Sequence, residues 1–482
     1  MNSFEVNLES SALRKSVPEA DWVRFLTAQR WFSGKGRTIA SVHPIASCRV
    51  DSAMAVVILR VGYHAEFEDY VLPLLVGSDE DTSIVARVEG RPLLDALAYP
   101  EGWARLLGVF SQSTLPGFKL TLQSELIGGR LPASEQIHVG STDQTNSWAV
   151  VGGLFVKAYR RLQPGENLDV SVCRFLTLRK ASNAPVLRAV LVGKGAWGDA
   201  TLLSVQDAVP NEGTGWDLAC AQVGAIARNE VIGYEPWTLL GQRMAELHKV
   251  LASEGADGFG VLPLHVPDLD AVSKAAQALA RSVLGELAEA ELLPEAAAQA
   301  ALLKTKTSKL LNRLKAPRLP VGSCHRQRIH GDIHLGQVIW NGRDFTIIDF
   351  EGEPARTYEE RLRKHSVAKD VAGILRSFDY AARSGLPAGA DAAAIDAARM
   401  WRNLARNAFM EGYEAAIGDE PFLPSDLELR NALFALYKLE KAFYELHYEL
   451  GHRPDWVGIP LAGLLEIADE APVRKRASRP KK

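Results

Sequence analysis

Residues 330–350 read HGDIHLGQVIWNGRDFTIIDF. Two short apolar runs, QVIW and FTIIDF, flank Asn341-Gly342, and Asn-Gly between strand-like runs is a strong signal for a tight hairpin. Asp332 and Gln337 precede the hairpin and Asp349 follows it, so two acids and an amide stand at its opposite ends. Phosphoryl transfer requires such a set. One carboxylate orients or deprotonates the attacking hydroxyl, while an acid and an amide oxygen hold the magnesium that bridges the nucleotide phosphates. On this reading Asp332 is the base, and Gln337 and Asp349 are the metal ligands. Gly331 permits a backbone geometry that other residues resist, and Phe350 anchors the turn in the core. Two other readings compete. His330 and His334 have the spacing of a zinc-binding helix, but Gly331 and the strand-like flanks argue against a helix. A plain loop with two unrelated aspartates is the other, since one Asp in a turn carries little information.

Working outward, the hairpin interrupts a mainly helical half. From about Trp216 the apolar residues recur at helical spacing, as in WTLLGQRMAELHKVLA and EAAAQAALLKTKTSKLLNRLK. The first half reads differently. A short helix over Trp22–Phe32 precedes the Gly34-Lys35-Gly36 turn, and then MAVVILRVGY, DYVLPLLVG and SIVARVEG predict an antiparallel meander. A helix is expected from about Leu93 to Phe110, followed by strands in KLTLQSEL, WAVVGGLFVKAY and ATLLSVQDAV. The expected class is α+β in three parts: an N-terminal β-rich cap over residues 1–104, a β-rich lobe over 105–212, and a helical lobe over 213–482.

The 482 residues exceed one compact core. With 47% hydrophobic and 23% charged residues and a net charge of -3, the chain has no general attraction for nucleic acid. Only the final RKRASRPKK is basic, and a solvated tail is expected there. Cys48, Cys173, Cys220 and Cys324 show no metal-binding spacing, which suits a reduced, cytoplasmic protein. The N-terminus lacks a signal-peptide layout, and no run of eighteen apolar residues predicts a membrane span.

HGDIHLGQVIW followed by TIIDFEGEP resembles the catalytic and metal-binding loops of the aminoglycoside-phosphotransferase-like kinases, which share a bilobal, protein-kinase-like fold. Gln337 in place of the usual Asn, together with DFEGEP, is similar to the maltokinases within that family. Further similarities occur in order along the chain: AQRWFSGKGR at 28–37, AYRRLQPGEN at 158–167, VPNEGTGW at 209–216, KDVAGILRSFDYAA at 369–382 and KAFYELHYELGHRPDW at 441–456. The resemblance implies ATP and Mg2+ as cofactors. It also implies a β-rich cap, and a possible association with trehalose- or glucan-metabolising enzymes.

Lys157 lies on a predicted strand after the polar loop GSTDQTNS, placed to reach phosphate oxygens as the strand lysine of kinases does. A surface lysine at a strand end is the alternative. No GxxxxGK[ST] sequence occurs, which removes a P-loop. The resemblance puts Asn146 and Ser147 in a phosphate-covering loop. It also exposes a departure: where maltokinases place a helix Glu to pair with the lysine, this chain has Ser171, and Asp169 is the candidate substitute. Val205–Pro210 would link the lobes, with backbone near Asp207 and Val209 meeting adenine.

Sugars are held by charged groups on their hydroxyls and by aromatic faces on their C–H surfaces. Lys441, Tyr444, Glu445 and Tyr448 share one helix face by spacing, with Arg453 and Trp456 beyond Gly451. Such a stripe is more often core, but its Lys and Glu argue for a wet pocket, and the resemblance implies a disaccharide-binding segment here. Asp370 and Arg376 either complete that pocket or pair as structural ions. The expected activity is ATP-dependent phosphorylation of maltose at its anomeric hydroxyl, feeding glycogen or α-glucan synthesis. Alternatives are a kinase for glucosamine, another small sugar or an aminoglycoside, and a nucleotide-binding pseudokinase or interaction subunit.

Overall fold

The structure, a computed structural model, describes residues 6–78, 80–129, 131, 136–140, 146–255, 258–320, 322–353 and 356–469. The basic tail and most of the polar loop before Lys157 lie outside the described residues. The chain forms two compact units, Met1–Leu178 with Pro185–Val209, and Arg179–Ala184 with Pro210–Lys482.

The first unit holds two antiparallel sheets. One has five strands in the spatial order Ser41–Arg49, Met54–Gly62, Phe67–Val76, Arg91–Asp95 and Ile84–Val88. Its second strand is apolar almost throughout because both faces are covered. Val57, Leu59 and Val61 join Trp22, Phe25 and Leu26 of helix Glu19–Ala28 in one core. Val56 and Ile58 point the other way, into a core shared with Trp103 and with Val156 and Val205 of the second sheet. The helix expected over Leu93–Phe110 is shorter. Arg91–Asp95 is a strand, with Leu93 in the first core and Leu94 in the second, and the helix runs only from Pro100 to Gly108. The adjacent leucines fit a helix by composition, but their opposite faces show a strand's period of two.

The second sheet has seven strands, in which Leu154–Ala158 lies between Ser147–Val151 and Gly198–Asp207. Strand Leu187–Gly195, which the sequence reading passed over, pairs with Gly198–Asp207. Helix Leu168–Leu178 packs beside it.

The second unit is helical, with a two-stranded hairpin of Val338–Trp340 and Phe345–Ile347. The Asn341 side chain accepts the N–H groups of Arg343 (3.0 Å) and Asp344 (2.8 Å), and Gly342 has φ 85°. The hairpin is as expected, but its loop has four residues, 341–344, in which Asn341 acts through its side chain and only Gly342 takes positive φ. Edge-to-face contacts among Trp237, Phe378 and Trp401 form the centre of the helical core. Both indole N–H groups donate to Gln222, at 2.8 and 3.0 Å, so the buried polar atoms are satisfied. Among the described residues no helix is long and apolar enough to cross a membrane. Among the described residues the four cysteines form no disulfide.

Candidate active site

Within the second unit, the loop His330–Gln337 is fixed from beneath by helix Ala368–Ser384. Asp370, 1% exposed, accepts the backbone N–H of His330 at 2.7 Å and of Gly331 at 2.9 Å. His248 Nε2 lies 3.2 Å from the same carboxylate, and its Nδ1 lies 2.8 Å from the Tyr413 hydroxyl. Asp370 was expected either to complete the sugar pocket or to pair as a structural ion. The structure corrects the first: its carboxylate is buried and already engaged by backbone. His330 is also structural. Its Nε2 donates to the Ile348 carbonyl at 2.9 Å, its Nδ1 accepts the Asp332 N–H at 3.4 Å, and its ring lies 5.0 Å from that of Phe350. The two loops, one with Asp332 and one with Asp349, are thereby tied together.

Gly331 has φ 89° and Asp349 has φ 68°, the latter uncommon for a residue with a side chain. Such strain is found at functional sites when the surroundings impose it. Gln337 Nε2 lies 3.5 Å from Asp349 Oδ2, while Gln337 Oε1 is buried with no hydrogen-bond partner among the described residues. A buried amide oxygen with no donor, beside a carboxylate, fits a hard cation that takes oxygen ligands and completes its shell with phosphate oxygens and water. The residues present therefore suit Mg2+.

Asp332 keeps partial exposure and meets Lys441 Nζ at 3.0 Å. The same ammonium lies 3.7 Å from Glu353, which is 4% exposed and also meets Arg356 (2.7 Å) and Lys369 (3.4 Å). Burial pushes the Glu353 carboxyl up, but Lys369, Lys441 and Arg356 outweigh it and hold the group down at about 2. Burial likewise opposes the charge on Lys441, yet Asp332 and Glu353 raise its pKa above the usual lysine value. Glu353 lies in the DFEGEP segment that the sequence reading singled out without assigning it a part.

Helix Leu427–His452 carries Lys441, Tyr444, Glu445 and Tyr448 on one side of a cavity of about 420 Å³, with Arg453 and Trp456 at its end. Trp216, His334 and Tyr380 also line it and were not anticipated. Arg453 lies 4.6 Å from the Trp456 ring and 5.4 Å from the Tyr448 ring, and it pairs with Glu449 at 2.6 Å. Glu445 is held by Arg376 at 2.6 Å, and Arg376 is itself 1% exposed and bound to Asp379 at 2.6 Å. Arg376 is therefore a structural ion behind the cavity wall, which resolves its two readings.

In the first unit, Lys157 Nζ lies 3.8 Å from Asp169 Oδ2. Asp169, 2% exposed in the first turn of its helix, is the acid that lies opposite the lysine, while Ser171 is half-buried two residues further along. The Ser147 hydroxyl accepts Arg160 Nε at 2.8 Å at the start of its strand, and Asn146 is the last residue before it. The Asp207 N–H donates to the Val186 carbonyl at 2.9 Å and its carboxylate pairs with Arg188 at 2.6 Å. Val209 is half-buried at the end of this unit.

Known proteins resemble both parts of the chain. Residues 25–99 match the maltokinase N-terminal cap domain, and residues 174–416 match the phosphotransferase enzyme family. A glucosamine kinase of Streptacidiphilus jiangxiensis is 26% identical over 338 residues, 68% of this chain and 72% of that protein. One from Mycolicibacterium smegmatis is 27% identical over 342 residues, 68% of this chain and 79% of its own length. A solved glucosamine kinase in complex with glucosamine, ADP and inorganic phosphate superposes with a TM-score of 0.65 at 19% identity, covering 92% of this chain and 99% of that one. Another crystal form gives 0.69 at 18% identity, covering 93% and 100%. At these identities the superpositions establish the fold. The second match spans half of the chain, and with the cap match before it this chain belongs to the phosphotransferase enzyme family, as a kinase-type member with a maltokinase-type N-terminal cap.

Proposed function

We propose that the protein transfers the γ-phosphoryl group of ATP to the anomeric hydroxyl of maltose, giving maltose 1-phosphate for α-glucan synthesis. Asp332 orients the hydroxyl and takes up its proton. Gln337 and Asp349 hold Mg2+, which neutralises charge on the phosphates when bound. Lys157, steadied by Asp169, meets phosphate oxygens, and backbone near Asp207 and Val209 meets adenine.

The observation that carries the acceptor assignment is the cavity lined by Lys441, the ion-pair partner of Asp332, and walled by Tyr444, Tyr448 and Trp456. Three aromatic faces offer stacking surface for two sugar rings, and Arg453 supplies donors for hydroxyls. The carboxylates on this wall, Glu445 and Glu449, are each held by a guanidinium. That favours a neutral acceptor over a cationic amine, which needs a carboxylate of its own. A second reading, glucosamine as acceptor, draws on the names of the relatives that align with 68% of the chain.

Purified protein with ATP and Mg2+ should phosphorylate maltose, and the product should carry an acid-labile anomeric phosphate. Efficient transfer to glucosamine with none to maltose would replace the first reading by the second. Transfer to neither, with intact ATP binding, would sink both.

A further inference from the structure

A second cavity of about 450 Å³ opens within the helical unit on the other side of Glu353, between helix Val266–Glu289 and the segment Arg361–Lys369. Six of its lining residues are Arg or Lys and four are Asp or Glu, so its wall is cationic. Three of those cations are already paired: Arg356 and Lys369 with Glu353, and Arg326 with Asp268 at 2.9 Å. Arg363 and Lys364 form no ion pair among the described residues. The Lys364 ammonium donates to the Phe259 carbonyl at 2.7 Å, and burial with nearby Arg328 and Arg326 lowers its pKa. Arg328, outside the lining but close enough to Lys364 to act on its charge, is 5% exposed and donates to the Arg361 carbonyl at 3.2 Å. No carboxylate meets it among the described residues, and its Nε has no acceptor.

Arg328 carries a buried charge with no carboxylate partner among the described residues, and with exposed Arg363 and half-buried Lys364 on the wall beside it the excess of positive charge favours an anion in the cavity. We propose that this cavity binds the phosphate ester of a small sugar, its phosphate held by Arg363 and Lys364. The volume lies in the range of small-molecule sites, roughly 300–1,000 Å³, and exceeds what a lone oxyanion fills. Asp268, Glu360 and Glu440 offer acceptors for hydroxyls. Tyr437 is the one aromatic ring other than His365 among the lining residues and is 2% exposed, so no broad face is available for a nucleobase. Across the wall, the occupant meets Arg356 and Lys369 on the far side of the carboxylate that steadies Lys441.

Calorimetric titration of the full chain, with saturating ADP and Mg2+ to fill the nucleotide site, tests this. Glucose 1-phosphate should bind, and Arg363→Gln and Lys364→Gln should each weaken it by about tenfold. Neither side chain is needed for the core, and unchanged melting temperatures check that. Absence of binding, or binding unaltered in both variants, overturns the site. Inorganic phosphate binding as tightly as the ester overturns the assignment to a phosphorylated sugar.

Discussion

Asp370 accepts the backbone N–H of His330 at 2.7 Å, and through this contact a helix dictates the path of the loop His330–Gln337. The two residues are 40 apart in sequence. With the Gly331 N–H on its other oxygen, one buried carboxylate satisfies two donors that would otherwise be stranded. Asp370→Ala should therefore destabilise the protein by about 3 kcal/mol and lower turnover, since the loop loses its anchor. Asp370→Asn, which keeps one acceptor, should recover part of both. Urea unfolding and initial rates on the same preparations measure this, and a stable Ala variant with unaltered turnover would contradict it.

Asp332 and Asp349 should separate cleanly. Asp332→Asn removes orientation of the hydroxyl and should lower turnover by about 10²–10⁴-fold with ATP affinity nearly unchanged. Asp349→Ala should abolish Mg2+-dependent nucleotide binding. Equal loss of ATP binding in both variants would show the two parts to be misassigned.

Acceptor contacts should show in KM. Arg453→Ala should raise the KM for maltose by about 5–150-fold, equivalent to about 1–3 kcal/mol, and spare ATP. Lys441→Met should do more than a sugar contact would, because its ammonium lies 3.0 Å from Asp332. A fall in turnover together with a rise in KM is expected, and a pure KM effect would confine Lys441 to the sugar.

Glu353 sets an acid limit. Its folded pKa of about 2 lies below the ordinary glutamate value of 4.5, so its contribution to stability is complete above about pH 4.5. It is lost as pH falls through about 2. Glu353→Gln should be less stable than wild type at pH 7, and the gap in urea midpoints should shrink between pH 4.5 and pH 2. A gap constant with pH would show that the ion network contributes nothing.

The hairpin, its Asn-Gly turn and the polar residues at its ends were legible in the sequence because each rests on local chemistry: a turn type, a period of two, an amide and two acids at fixed spacing. The helix stripe Lys441–Tyr448 was legible for the same reason, since 3.6 residues per turn fixes which side chains share a face. Local pattern could not decide between Asp370 in the pocket and Asp370 beneath the loop, because both put an Asp on the same helix. Burial to 1% exposure and two backbone donors decided it. Nor could spacing find Glu353 as the centre of three cations, since those partners come from segments brought together only by packing, whereas Asp169 opposite Lys157 was already a candidate from the resemblance. The strand Arg91–Asp95 was missed because adjacent leucines suit a helix until two separate cores claim their opposite faces. What the sequence determined by itself is the chemistry, carried by residue types near one another along the chain. Which carboxylates remain available to a ligand was decided by the tertiary structure alone, because a charge's role depends on the partners that folding brings to it.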